Sequence, residues 1–96
     1  MLIISPILYE ELAHMLIEAL NGKTFYSDKL LIETPEIDYC LEATLLIHYC
    51  EEHYPDGSEE QIEKIIPVWW EFHTSDDDGE LINDFDFNLL TRLICR

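Results

Sequence analysis

Ile37-Asp38-Tyr39-Cys40-Leu41-Glu42-Ala43-Thr44-Leu45-Leu46-Ile47-His48-Tyr49-Cys50 is the stretch that decides the fold. Ile37, Tyr39, Leu41, Ala43, Leu45, Ile47 and Tyr49 fall on one side, and the mostly polar set Asp38, Cys40, Glu42, Thr44, Leu46, His48 and Cys50 on the other. Successive strand residues point to opposite faces, so this period of two describes a half-buried antiparallel strand.

The same period recurs on both sides of it. Residues 62–73 alternate with Ile62, Ile66, Val68, Trp70 and Phe72 facing in, and a shorter strand over residues 25–33 turns Tyr26, Leu30 and Ile32 inward. Thr34-Pro35, Tyr54-Pro55-Asp56-Gly57 and Asp76-Asp77-Asp78-Gly79 supply the turn chemistry between strands.

Before the strands the period is helical. Ser5 is placed to cap, Pro6 suits the first helical position, and Gly22 follows the end. Leu8, Leu12, Met15, Leu16 and Ala19 share one face, with Glu10, Glu11, His14 and Glu18 mostly away from it. A membrane-surface helix favours Lys and Arg on its polar face, so these Glu residues point to core packing instead. At the other end, Leu81, Phe85 and Phe87 suggest a fourth strand over residues 80–86, followed by a short helix over 88–95. Should Asn83 or Asp86 cap a longer helix, that strand disappears. The expected fold is a single α+β domain over residues 1–96: an N-terminal amphipathic helix packed on a four-stranded antiparallel meander, closed by a short C-terminal helix.

Parity tests the layout. Inward faces meet across an antiparallel hairpin only when paired residue numbers sum to an odd value. The expected turns set Ile32 opposite Ile37, Ile47 opposite Ile66, Leu45 opposite Val68, Ala43 opposite Trp70, Phe72 opposite Phe85 and Trp70 opposite Phe87, each with an odd sum. Two outer rows then read Lys29, Cys40, His73, Asp84 and Ser27, Glu42, Glu71, Asp86. Trp69 points outward, and with Leu31, Leu46, Ile65 and Pro67 it makes that face more apolar than open solvent requires.

Charge narrows the function. Twenty-one acids oppose five bases, a formal net charge of −16 over 96 residues, and residues 33–60 hold nine acids with no Lys or Arg. Hydrophobic residues make up 48% of the chain, which separates it from disordered acidic tails. Phosphate contacts need clustered Lys and Arg, so direct nucleic-acid binding is disfavoured, as is an anionic membrane. No segment approaches the roughly 20 apolar residues of a membrane span, and the opening Met1-Leu2-Ile3-Ile4 lacks the basic flank of a signal peptide. Cys40, Cys50 and Cys95 are an odd count. Cys40 and Cys50 on one strand would sit about 33 Å apart, far beyond the roughly 7 Å that a disulfide spans. Free thiols in a reducing cytoplasm are expected.

Three side-chain sets invite chemistry. Cys40, His73 and Asp84 resemble a nucleophile, base and orienter, but a flat sheet face offers no pocket or oxyanion donors, so no catalytic residue is expected. Cys40, Glu42, Glu71 and His73 mix the ligand types that suit zinc, without a paired ligand motif. The 76–80 acidic run fails as a calcium loop, which would have to start at Thr74 and end at Phe85. No cofactor is expected.

The leading expectation is a non-enzymatic protein-interaction module that docks on a basic partner surface, in its sharpest form a nucleic-acid mimic that inhibits a DNA- or RNA-binding protein. Glu42, Glu71, Asp84 and Asp86, with Glu51, Glu52, Glu59, Glu60, Asp76, Asp77 and Asp78, would carry the charge, and Trp69 would anchor it. The alternatives are a small metal- or ligand-binding domain built on Cys40, His73, Glu42 and Glu71, and a homo-oligomer formed through the outer sheet face.

Overall fold

The computed structural model of the chain describes residues 1–54 and 57–95, with side chains for all of these except 51–54 and 57–60. Its elements run α1 (Pro6–Leu20), β1 (Phe25–Glu33), β2 (Asp38–Tyr54), β3 (Gly57–Asp76), β4 (Gly79–Leu81) and α2 (Phe87–Ile94). The strands form one antiparallel sheet in the order β1-β2-β3-β4, the meander that alternation and parity imply. Among the described residues no helix is long and apolar enough to cross a membrane.

α1 starts where Ser5 caps it. The Ser5 side chain accepts from the Leu8 amide at 3.3 Å, and Pro6 opens the helix, where its missing N–H costs nothing. Asn21 at φ 41° and Gly22 at φ 81° then reverse the chain, a left-handed conformation that Asn tolerates and Gly adopts freely. Leu8, Leu12 and Leu16 are buried as expected, and Tyr9, Ala13 and Leu20 widen the stripe. They meet Leu41, Ala43, Leu45 and Ile47 of β2 and Tyr26 and Leu30 of β1 in one core, to which α2 adds Phe87, Leu90 and Ile94. Both helices therefore contribute to the inner side of the sheet.

The registers differ from the simplest hairpins in three places. Between β1 and β2 the pairing is Ile32 with Tyr39 and Leu30 with Leu41, two residues away from the expected setting. Thr34 spans the wider turn: its hydroxyl donates to the Ile37 carbonyl at 2.7 Å and accepts from the Ile37 amide at 3.0 Å. A shift of two preserves both faces.

Between β2 and β3 the expected register holds from Asp38 opposite Ser75 to Thr44 opposite Trp69, including Ala43 opposite Trp70. It then slips twice, where Val68 and Glu63 have no partner across the ladder. Each bulge inserts one residue and flips the faces beyond it. Ile47 therefore meets Ile65 rather than Ile66, Leu45 meets Pro67 rather than Val68, and Val68 is 61% exposed. The second bulge restores parity and sets Ile62 opposite Tyr49. Pro67, which has no amide to donate, lies beside the first bulge, where a strand accommodates proline. The strands meet at Tyr54 opposite Gly57; the expected turn residues Pro55 and Asp56 lie outside the described residues.

Between β3 and β4 the turn is Asp77-Asp78, not Asp78-Gly79, with Asp76 opposite Gly79. The Asp76 carboxylate accepts from the Asp78 amide at 2.9 Å, and Gly79 takes φ 122°. The fourth strand ends at Leu81 instead of reaching residue 86, because the chain there turns to the N-terminal segment: the Leu2 amide donates to the Ile82 carbonyl at 2.7 Å and the Asp84 amide to the Leu2 carbonyl at 3.1 Å. Asn83 replaces part of the lost ladder with its side chain, donating to the Thr74 hydroxyl at 3.2 Å and the Phe72 carbonyl at 3.4 Å. The expected aromatic neighbours still meet without a ladder. Phe85 stacks on Phe72 at 4.1 Å, and Phe87 stacks on Trp70 at 5.6 Å. Trp70 is not fully enclosed as expected: with α2 covering one side of it, it remains 37% exposed.

Candidate functional site

With both helices committed to the inner side, the outer face of the sheet carries the residues that the sequence singled out. The observed rows are Leu31, Cys40, His73; Lys29, Glu42, Glu71; Ser27, Thr44, Trp69; and Phe25, Leu46, Ile66. The widened β1–β2 turn moves Lys29 out of the Cys40 row and into the acidic one.

That placement resolves an electrostatic conflict. Glu42 and Glu71 are directly opposed, an arrangement that destabilises a sheet when nothing compensates. Here Lys29 Nζ lies 3.8 Å from Glu42, and His73 Nε2 lies 2.8 Å from Glu71. His73 Nδ1 lies 2.7 Å from Glu80. Charge thus alternates across the strands: Lys29, the Glu42–Glu71 pair, His73, Glu80. The Glu80 hydrogen bond, then that of Glu71, raises the His73 pKa above its ordinary value by stabilising the imidazolium that donates to both. Glu80 was not among the expected site residues. The β3–β4 register carries its signal, since Glu80 opposes Ser75 and is therefore a diagonal neighbour of His73.

Cys40 and His73 are opposed as expected, but they do not assemble a nucleophile, base and orienter. Both imidazole nitrogens are engaged by carboxylates, and Asp84 is elsewhere: its carboxylate accepts from the Ile4 amide at 2.7 Å. Burial first, then Glu42, raises the Cys40 thiol pKa, with Lys29 opposing weakly, so the nucleophilic thiolate is disfavoured. Asp86 leaves the acidic row as well. It caps α2, accepting from the Asn88 amide at 2.9 Å. Both departures have one cause, the early end of β4. Among the described residues, no three His, Cys, Asp or Glu groups converge to hold a metal ion, so Cys40, Glu42, Glu71 and His73 are not assembled as ligands.

Trp69 points outward as expected and is 45% exposed. It walls a shallow depression of about 160 Å³ with Lys29, Glu42 and Thr44, where the Ser27 and Thr44 hydroxyls share a hydrogen bond at 3.0 Å. Asp77 and Asp78 are exposed at the β3–β4 turn, while Asp76 is half-buried with one oxygen engaged in it. β1 pairs with β2 only as far as Leu46, so the ends of β2 and β3 continue as a two-stranded arm. The arm's register sets Glu51 opposite Glu60 and Glu52 opposite Glu59; the side chains of these four lie outside the described ones.

Divided by segment of the sequence, the charge is lopsided. Residues 1–24 and 87–96, which hold the helices, carry Glu10, Glu11 and Glu18 against Lys23, Arg92 and Arg96, a net of zero. Residues 25–86, the strands and their connections, carry the other 18 acids against Lys29 and Lys64 and so account for the whole −16. Comparison of the chain with protein-family models, with curated proteins and with solved structures finds no match.

Proposed function

We propose that the chain is a non-enzymatic protein-interaction module whose acidic sheet docks on a basic partner surface. The observation that carries this reading is the confinement of the −16 to residues 25–86, next to an outer face that the helices leave bare. Retaining that much like charge opposes compaction, and it creates a field that attracts and orients a cationic partner. Glu42 and Glu71 supply the centre of the face, and Trp69 supplies an aromatic anchor of the kind that dominates interface energetics. Asp77, Asp78 and the acidic residues of the arm extend the field at both ends.

The sharpest form of the proposal is a nucleic-acid mimic. The molecule measures 54 × 24 × 18 Å, and sixteen net charges along its long axis is one per about 3.4 Å. That is the charge spacing along one strand of duplex DNA, about 3.4 Å. A groove that tracks phosphates would meet carboxylates at comparable density.

The test is salt. The immobilised chain is challenged with extract of its native host, and each captured protein is purified and its affinity measured at low and high ionic strength. The Debye length falls from about 30 Å at 0.01 M to about 3 Å at 1 M, so affinity is expected to fall more than tenfold. Glu42→Gln with Glu71→Gln, and separately Trp69→Ala, should weaken binding further. An affinity indifferent to salt rejects the acidic-face reading. A partner that holds this chain and its own nucleic acid at once rejects mimicry while leaving acidic docking intact.

A further inference from the structure

The sheet has edges of two kinds. β4 is three residues long, and the chain beyond it is continued by Leu2, which bonds to Ile82 and Asp84. β3 extends past β4, but Pro67 and the bulges at Val68 and Glu63 break the regular row of donors and acceptors there. β1 has neither device. It pairs with β2 in an unbroken register from Phe25 to Glu33, holds no proline, and has no strand on its other side among the described residues. The phase of its backbone is fixed at both ends: the Thr34 amide donates to the Ile37 carbonyl at 3.0 Å, and the Ile47 amide to the Thr24 carbonyl at 2.8 Å. Hydrogen-bonded pairs alternate along an antiparallel ladder, so the even-numbered residues of β1 bond to β2. Phe25, Ser27, Lys29, Leu31 and Glu33 therefore direct their amides and carbonyls away from the sheet. Among the described residues, only the Lys29 amide of that outward set has an acceptor, the Asp28 carboxylate at 2.7 Å.

We infer that an extended, basic segment of the partner adds to this edge as a fifth strand, with lysine or arginine on the outer side of the sheet and apolar residues on the inner side. The inference rests on the docking of a basic partner proposed above, and not on mimicry. Charge names the occupant. Residues 25–42 hold Asp28, Glu33, Glu36, Asp38 and Glu42 against Lys29 alone. Glu33 lies directly opposite Asp38 at the end of the ladder, an arrangement that destabilises a sheet unless a cation relieves it. Neither has an ion-pair partner among the described residues, since Lys29 lies by Glu42 at 3.8 Å. A second copy would bring its own Asp28 and Glu33 to the same edge and be repelled, whereas a basic strand supplies the missing cations. The inner side has room for it. Asp28 shares that side with the buried Tyr26 and Leu30 and is nevertheless exposed, so the helices leave the margin of β1 open. Apolar side chains of the added strand extend the row of Leu30 and the half-buried Ile32. In strand addition the main-chain hydrogen bonds supply affinity and alternate side chains supply the choice of partner.

Titration of the full chain with a synthetic peptide that alternates lysine and valine, followed by NMR, tests the inference. On binding, the Ser27 and Leu31 amides should gain protection from hydrogen exchange, while those of Tyr26 and Leu30, already bonded to β2, should not change. Two further peptides carry N-methyl groups, one on its lysine amides and the other on its valine amides, with the charge unaltered. Only one of these sets can face β1, so one peptide should bind about tenfold more weakly than the other. Leu31→Pro removes an outward amide and leaves every bond to β2 in place, so it should weaken binding by a similar factor in a chain that circular dichroism shows to be folded. Binding that falls with salt but ignores both N-methyl sets and Leu31→Pro overturns strand addition and leaves acidic docking standing. A peptide that fails to bind at low salt overturns strand addition as well. Protection that ignores salt, or that a glutamate–valine peptide reproduces, overturns the choice of a basic strand.

Discussion

Residues 1–24 and 87–96 balance three acids against three bases, while residues 25–86 hold eighteen acids against two. The two regions also differ in where their apolar side chains go. The helices bury Leu12, Leu16, Leu20 and Leu90 almost completely and still expose Ile7, Leu89 and Leu93. The sheet buries Leu41, Leu45 and Ile47 on one side and turns a mixed acidic and aromatic face outward on the other. The difference teaches that self-repulsion is generated in one layer and offset by burial that the other layer completes. Without the helices, the inner face of the sheet would be open to water and its charge unopposed.

Leu16→Ala is the most direct way to break that picture. Leu16 is fully buried at the centre of α1, so truncation removes buried methyl groups and leaves a cavity at a cost of about 2–5 kcal/mol. Chemical denaturation should show that loss at every salt concentration. A loss below about 1 kcal/mol would mean that the helix layer is not what holds the charged sheet together.

Thr74→Val probes the corresponding joint within the sheet. Thr74 is fully buried, donates to the Leu81 carbonyl at 2.9 Å and accepts from Asn83 at 3.2 Å. Valine keeps the shape and removes the hydroxyl, leaving a buried carbonyl and an amide short of partners at about 1–3 kcal/mol. Equal stability of the variant in urea would show that Asn83 anchors the chain after β4 without help from Thr74.

What the sequence disclosed follows this division. Alternation over residues 37–49 was enough to identify the central strand and its faces, and parity survived two turn errors because each shifted the register by two. The bulges at Val68 and Glu63 were not legible, since a single inserted residue leaves no mark on an apolar run except the neighbouring Pro67. The alternation of Phe85 and Phe87 reads as a strand and so assigns Asp84 and Asp86 to the outer rows. What ended that strand is a tertiary contact, Leu2 with Ile82 and Asp84, invisible to local pattern. The Asp86 cap did have a local signal, an Asp just before an apolar helical run. Glu42, Glu71, Cys40 and His73 were brought together as expected, whereas the pairing of His73 with Glu80 needed the correct third turn. The net charge was visible at once. Its concentration in residues 25–86 follows from the bounds of the helices.

Tyr26→Phe should change stability less, and upward. The Tyr26 hydroxyl is buried without a hydrogen-bond partner among the described residues, and burial, then Asp28, pushes its pKa up to about 12. Removing an unsatisfied buried hydroxyl should gain about 1 kcal/mol in a urea titration. In wild type, phenolate absorbance should show a tyrosine that ionises only near pH 12 and is missing from Tyr26→Phe. A destabilised Tyr26→Phe would mean that the hydroxyl has a partner in solution.

The smallest expected effect lies on the outer face. Glu80 and Glu71 raise the folded-state pKa of His73 above the unfolded value of about 6.5. Protonation therefore favours the folded chain. Its contribution is complete below the unfolded pKa and fades as pH climbs through the raised folded one, so stability should decline as pH rises above about 6.5. The side chains of His73, Glu71 and Glu80 are 44%, 51% and 69% exposed, which holds the effect to less than about 1 kcal/mol and makes it shrink with salt. His73→Gln should flatten this slope while leaving the Leu16→Ala loss unchanged, because one acts on the sheet's charge and the other on the core beneath the helices. A slope that survives His73→Gln would assign the titration to another group and deny the imidazolium its place between the acids of β3 and β4.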